Sequence, residues 1–162
     1  MSVSKIIHIN RLVQIRKQYL QKKIILISGC FDVIHIGHLR FLEEAKKSTD
    51  ILVVGVLSDH FVRFRKGEKR PIFSEKERAN LVAGFETVDV VVIFGYEETE
   101  LLLENLQPNY YGIGGDRDKG GIKEKALLSK YGVKIKKFSR FGSNSTSSIL
   151  EILKSFGKRL TD

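Results

Sequence analysis

Residues 24–46, IILISGCFDVIHIGHLRFLEEAK, decide how the rest of this chain is read. The stretch starts with an unbroken apolar run, Ile24 to Ile27, and ends with Leu39, Leu42 and Ala45 at helical spacing. A continuous run of this kind suits a strand buried on both faces, the habit of parallel sheets. The spacing that follows predicts an amphipathic helix over 37–47, with Arg40, Glu43, Glu44 and Lys47 on its outer side. Gly29 allows a sharp exit from the strand, and Gly37 lets the backbone approach a ligand where the helix begins. His35 and His38 bracket Gly37. A helix N-terminus offers N–H groups without intrahelical partners and a partial positive charge. Two imidazoles and those N–H groups can together surround a phosphoryl group.

Histidines three apart are weak evidence alone, and the spacing leaves an incidental pair open. Zinc is poorly supplied, because no Glu stands between them as in H-E-x-x-H and Cys30 is the sole cysteine. The dinucleotide fingerprint G-x-G-x-x-G is absent after this strand, as is the P-loop G-x-x-x-x-G-K-[ST]. Hydride transfer and P-loop phosphorylation are disfavoured accordingly. No nucleophile for covalent catalysis stands nearby, which leaves in-line phosphoryl or nucleotidyl transfer, a chemistry of positioning and charge stabilisation.

Outward from this segment the pattern repeats. ILVVGVL (51–57) and VVVIF (90–94) are buried-strand runs, and YYGIG (110–114) and VKIKKF (133–138) are weaker ones. Helical patterns separate them. Residues 5–20 predict a leading helix with Ile9, Leu12, Val13 and Leu20 inward. Residues 74–84 open on Ser74 with Glu77 three positions on, a capping box. Further helices are expected over 97–106, ending before Pro108, and over 121–131 and 145–157. Alternating strands and helices predict an α/β fold, a Rossmann-like doubly wound parallel sheet of about five strands. One domain over 1–162 is expected, with the leading helix in 1–22 and the core in 23–158. In such sheets the ligand crevice lies beyond the carboxyl ends of the strands. The loops starting at Gly29, at GIGGD (112–116) and at SRFGSNSTSS (139–148) should therefore meet at one edge.

The bulk properties agree with one soluble domain. The chain has 162 residues, 42% of them hydrophobic, and a net charge of +9, which favours anionic partners. A lone cysteine excludes an internal disulfide. No apolar run approaches the ~18 residues of a membrane span, and MSVSKIIHINRLV lacks the apolar core of a secretory leader. A cytoplasmic protein with no membrane and no nucleic-acid partner is expected. Residue type alone gives several positions a plain structural role. Asp32 can brace its turn, Cys30 is a small buried side chain, and Asp116 can be a turn residue. Arg78 can lie on a helix surface, Lys66 can be a solvated loop charge, and the Ser145–Ser147 run can be N-capping.

GCFDVIHIGH (29–38) resembles the G-x-F-D-x-x-H-x-G-H signature of the cytidylyltransferase-like nucleotidyltransferases. GVLSD (55–59), KGEKRPI (66–72), VDVVVIF (88–94), LQPNYYGIGGD (106–116) and STSSI (145–149) follow in the order seen in the adenylyltransferase domains of ADP-heptose synthases. The resemblance covers about residues 5 to 153. It implies a Rossmann-like fold and transfer of NMP from a nucleoside triphosphate, ATP or CTP, to a phosphorylated small-molecule acceptor. Mg²⁺ would accompany the triphosphate, with no direct protein ligation of metal.

The same resemblance implies that His35, His38 and Lys66 are catalytic. Gly29, Cys30, Phe31, Asp32, Gly37, Gly115, Asp116, Ser145, Thr146 and Ser147 would line the nucleotide, along with the two histidines. Lys66, Arg78 and Arg140 would contact phosphate or acceptor, and Lys66, just before Gly67, would ride on a mobile closing loop. Members of the family often form dimers, so a homodimer is a candidate assembly. Two departures put the acceptor in question: Ile113 stands where the heptose enzymes usually have lysine, and S-T-S replaces S-T-T at 145–147. The expected reaction is AMP transfer from ATP to a sugar phosphate such as heptose 1-phosphate, with pyrophosphate released. The alternatives are a CTP enzyme acting on glycerol 3-phosphate or ethanolamine phosphate, favoured by Arg140, and a silent nucleotide- or RNA-binding module.

Overall fold

The computed structural model describes residues 5–114, 124–139 and 146–159. Its strands are β1 (Ile6–Ile7), β2 (Ile24–Gly29), β3 (Ile51–Leu57), β4 (Val90–Phe94), β5 (Tyr110–Gly114) and β6 (Lys134–Phe138). Its α-helices are α1 (Leu12–Gln18), α2 (Ile36–Lys47), α3 (Asp59–Lys66), α4 (Glu75–Ala83), α5 (Thr99–Leu106), α6 (Lys125–Lys130) and α7 (Thr146–Arg159). All pairings are parallel, in the order β1-β4-β3-β2-β5-β6. The chain moves outward from β2 through β3 to β4, then returns to place β5 on the other side of β2. The topological switch thus lies between β2 and β5, and the ligand crevice is expected at their carboxyl ends.

Strand β3 is buried along its whole length, as a central parallel strand must be. The sheet divides the core into two layers. Leu26, Val53, Leu57, Val92 and Phe94 face one side, against Leu12, Leu102, Leu103 and Leu128 from α1, α5 and α6. Ile25, Ile27, Val54 and Val91 face the other, against Leu42 of α2 and Ala79 and Val82 of α4. Each fully buried aliphatic side chain contributes roughly 1.5–3 kcal/mol, so the two layers rather than local propensity fix the helices in place. At Ser74 the expected capping box is present, with Glu77 Oε2 accepting from the Ser74 backbone at 2.8 Å.

The structure differs from expectation in two segments. The leading helix over 5–20 is a short strand, a 3-10 turn at Ile9–Arg11 and then α1. Ile6 and Ile7 pair with Val91 and Val92, so a sixth strand covers the outer edge of β4. The helix starts only after His8, whose Nδ1 accepts from the Asn10 N–H. Ile9 and Leu12 are buried as expected, whereas Val13 is exposed because the turn shifts the helical phase and Leu20 is exposed because the helix ends at Gln18. The second difference is α3, which the apolar pattern does not announce. Ser58 caps it and Gly67 ends it at φ 92°, a conformation glycine adopts without strain. Lys66 is therefore the last residue of a helix, not part of a loop.

Gly55 leaves room for the Phe94 ring against β3. A Cβ there would lie 2.7 Å from Phe94 Cε1. Gly55→Val should destabilise the fold by about 1–3 kcal/mol through overpacking. Urea unfolding should show a lower midpoint with an unchanged slope.

Candidate active site

The turn after β2 delivers His35 and His38 to the N-terminus of α2, where they cap each other. The Gly37 N–H donates to His35 Nδ1 at 3.1 Å, and the His35 N–H donates to His38 Nδ1 at 3.3 Å. The His38 N–H closes the turn on the His35 carbonyl at 2.9 Å. The i, i+3 spacing is thus a capping box built from two imidazoles instead of Ser and Glu. This differs from the expected phosphate nest, since three of the backbone N–H groups already have partners. The gain is orientation. With each Nδ1 accepting, the proton of each neutral ring sits on Nε2. The rings lie 4.1 Å apart between centroids.

Burial, the neighbouring His35 and the charge of Lys66 lower the His38 pKa from 6.5 to about 4. At neutral pH the ring is uncharged and offers an N–H donor, the state suited to stabilising developing negative charge on a phosphoryl oxygen.

Three of the expected ligand residues turn inward. Asp32 is buried, and its Oδ1 accepts from the Ile72 and Phe73 N–H groups at 2.8 and 3.1 Å. Its Oδ2 accepts from Arg70 Nε at 2.5 Å. Arg78 is fully buried. Its guanidinium donates to the carbonyls of Phe73 at 2.9 Å, Leu57 at 2.8 Å and Cys30, and to Asp59 Oδ1 at 2.7 Å. Arg78 is a strut and not a phosphate contact, because it is fully buried and all three of its nitrogens donate to protein groups. Phe31 sits between the two anchors with φ 50°, a costly region for an aromatic residue. Its ring is buried, packs over Gly29, where a Cβ would lie 3.0 Å from Cε2, and lies 5.5 Å from the His38 ring. Strain at Phe31 is sustained because Cys30 and Asp32 are each held from outside.

These anchors tie segment 70–73 to the histidine turn and bring the end of α3 with it. Lys66, Glu68, Lys69, Arg70 and Ile72 form one wall of a cleft of about 800 Å³, and Leu150, Glu151, Leu153 and Lys154 of α7 form the other, so that basic side chains outnumber carboxylates. That size is within the range of small-molecule sites, and the lysines suit a polyphosphate. Of these, Lys66 is legible in the sequence. Arg70, Lys69 and Lys154 are not, since they occur among many solvated basic residues and only the fold gathers them. Gly115, Asp116, Arg140 and Ser145 lie outside the described residues. Thr146 and Ser147 open α7. Among the described residues no group of three His, Cys, Asp or Glu could hold a metal, and no helix is long and apolar enough to cross a membrane.

A parallel sheet with this switch point, and paired histidines at the helix leaving its central strand, defines a Rossmann-like nucleotidyltransferase fold. The chain belongs to the cytidylyltransferase-like family, whose profile matches residues 26–152. It is similar to the bifunctional protein HldE of Geobacter metallireducens, 39% identical over 138 residues that cover 85% of this chain and 28% of that protein. HldE of Helicobacter pylori is 39% identical over 134 residues, covering 83% of this chain and 28% of that one. The chain thus spans less than a third of these relatives. Among solved structures, the lipopolysaccharide core biosynthesis protein of Thermoplasma volcanium has a TM-score of 0.64 at 29% identity, covering 75% of this chain and 99% of that one. A pantoate-β-alanine ligase of Francisella tularensis has a TM-score of 0.63 at 18% identity, covering 97% of this chain and 79% of that one; it shares the fold.

Replacing Arg78 by Met should cost about 3–5 kcal/mol, because it strands Asp59 and several carbonyls at once. Arg78→Lys should not rescue it, since one ammonium cannot span the same fork; thermal unfolding measures both. The folded protein takes up a proton on His38 near pH 4, the unfolded chain near 6.5. Between these values the unfolded state binds more protons, so this residue lowers stability as pH falls through that window. His38→Gln should flatten the pH–stability curve there. In the intact protein, an NMR titration should place the His38 midpoint near 4 and show it rising in Lys66→Ala.

Proposed function

We propose that this chain is an adenylyltransferase that joins the AMP of ATP to a sugar phosphate, heptose 1-phosphate, and releases pyrophosphate. The observation that carries nucleotidyl transfer is the reciprocal histidine cap, which holds a neutral His38 donor beside the Lys66 cleft. ATP and a sugar phosphate are favoured by the similarity to the HldE proteins and to the lipopolysaccharide core biosynthesis protein. The reaction needs no strong general base. A phosphate monoester has its second pKa near 6, so the acceptor oxygen is already ionised at neutral pH. That oxygen attacks the α-phosphorus, a new P–O bond forms, and the bond to the β-phosphate breaks with its electron pair leaving on pyrophosphate.

His38 Nε2–H donates to a non-bridging α-phosphate oxygen as charge builds there, and His35 fixes the ring that does so through the cap. Lys66, Lys69 and Lys154 face the leaving phosphates from the two walls of the cleft. Lys66, Lys69 and Lys154 would hold a Mg²⁺-bound triphosphate through its phosphates, and the ion would supply neutralisation of phosphate charge. Such an enzyme would work in the cytoplasm, where ATP is supplied.

The test pairs each triphosphate with a panel of phosphorylated acceptors and follows pyrophosphate. ATP with heptose 1-phosphate should turn over, and His38→Ala should lower kcat by about 10²-fold or more. Turnover with CTP and glycerol 3-phosphate but not with ATP would make the chain a cytidylyltransferase. No turnover on any acceptor, together with salt-steep RNA binding, would make it a silent binding module. A His38→Ala enzyme as fast as wild type would remove the histidine from the mechanism.

A further inference from the structure

Arg70 differs from the other cations of the phosphate cleft. Lys66, Lys69 and Lys154 are exposed, whereas the Arg70 side chain is only 14% exposed and is fixed by its ion pair with Asp32. Its Nε donates to Asp32 Oδ2 at 2.5 Å, and its Nη2 is buried beside the same oxygen at 2.5 Å. The other carboxylate oxygen is taken by the Ile72 and Phe73 N–H groups. The Arg70 backbone N–H closes a turn on the Gly67 carbonyl at 3.0 Å, which ties the residue to the end of α3. Nη1 is left over. It has no partner among the described residues, and the exposed part of the side chain lines the cleft.

We propose that Arg70 is the fixed phosphate contact of this cleft, with Nη1 donating to the β- or γ-phosphate of a bound triphosphate. That these phosphates leave as pyrophosphate rests on the nucleotidyl-transfer reading above; that Arg70 binds them does not. A guanidinium is planar, with Nε and Nη2 along one edge and Nη1 at the far corner. Holding the first edge on a carboxylate therefore fixes the direction of the remaining donor. The carboxylate also offsets the burial of the charge. It cannot turn away toward another partner, because both its oxygens are engaged.

The placement agrees with this role. Asp32 stands three residues before His35, in the turn that presents both histidines. Lys66 is near enough to His38 to lower its pKa. Arg70 is held against the histidine turn through Asp32 and against the end of α3 through Gly67, so it lies on the side where the lysines gather. Glu68 and Glu151 also line the cleft, so net charge alone does not say where a phosphate sits. A rim lysine loses rotamer freedom when it grips a phosphate. Arg70 has already lost it on folding, so its contact forms at less entropic cost and in one direction. AMP lacks the β- and γ-phosphates and makes no use of this contact.

Calorimetric titrations of ATP, AMP and inorganic pyrophosphate, each with Mg²⁺, test this in the wild type and in Arg70→Lys. The lysine keeps the charge, but one ammonium cannot hold Asp32 and a phosphate in the same geometry. Affinity for ATP and for pyrophosphate should fall at least about tenfold, the scale of one charge-assisted hydrogen bond, and affinity for AMP should stay unchanged. Arg70→Gln, which keeps a donor toward Asp32 and removes the charge, should give the same pattern and stands in if Arg70→Lys folds poorly; thermal unfolding checks both. Equal losses for ATP and AMP would make Arg70 only a brace of the histidine turn and overturn the proposal. Unchanged affinity for all three ligands would overturn it as well. A loss confined to ATP and pyrophosphate, in a protein that transfers no nucleotide to any acceptor, would uphold the contact and remove the transferase reading alone.

Discussion

The Arg78 guanidinium is the contact on which the geometry of this molecule depends. It leaves α4, enters the core and donates to the end of β3, the turn after β2 and the residue before Ser74, while pairing with the first residue of α3. A buried unpaired charge would be untenable, so these segments must close around it. Asp32 does the same from the other side, accepting from Arg70 and from two backbone N–H groups of the following segment. Between them, Cys30 and Asp32 are immobilised and Phe31 is held in a left-handed conformation. Charge buried in the frame is what sets the position of the histidines.

The histidines then need little further support. Each Nδ1 is spent on a backbone N–H, which fixes the rings and directs protonation to Nε2. Burial first, and then the neighbouring His35 and Lys66, keep His38 neutral, so the donor costs no repulsion against the lysine until a polyphosphate arrives. The cleft beside it is cationic because α3, segment 67–72 and α7 each contribute side chains.

The sequence showed the alternation of strands and helices clearly, because β2, β3 and β4 are continuous apolar runs that no exposed element could carry. It also showed the histidine pair at the start of α2. It misjudged the first twenty residues, where Ile6 and Ile7 have apolar neighbours at helical spacing but a stronger partner in the open edge of β4. It missed α3, a helix of eight residues with one fully buried side chain, Val62, between the Ser58 cap and Gly67. Neither result could come from local propensity, because both depend on partners far along the chain.

Residue order alone determined the alternation of buried strands and helices and the placing of His35 and His38 at a helix start, since hydrophobic period and glycine position act locally; the strand order that puts the switch beside β2 came from the tertiary structure. Tertiary structure decided which charges bind ligands and which hold the fold. Asp32 and Arg78 have the composition of ligand residues and the burial of struts. Arg70 and Lys154 gain their places only because Asp32 holds the segment after α3 and α7 returns to the same edge. A charged side chain carries no mark of its role until its surroundings fix whether water, protein or substrate will solvate it.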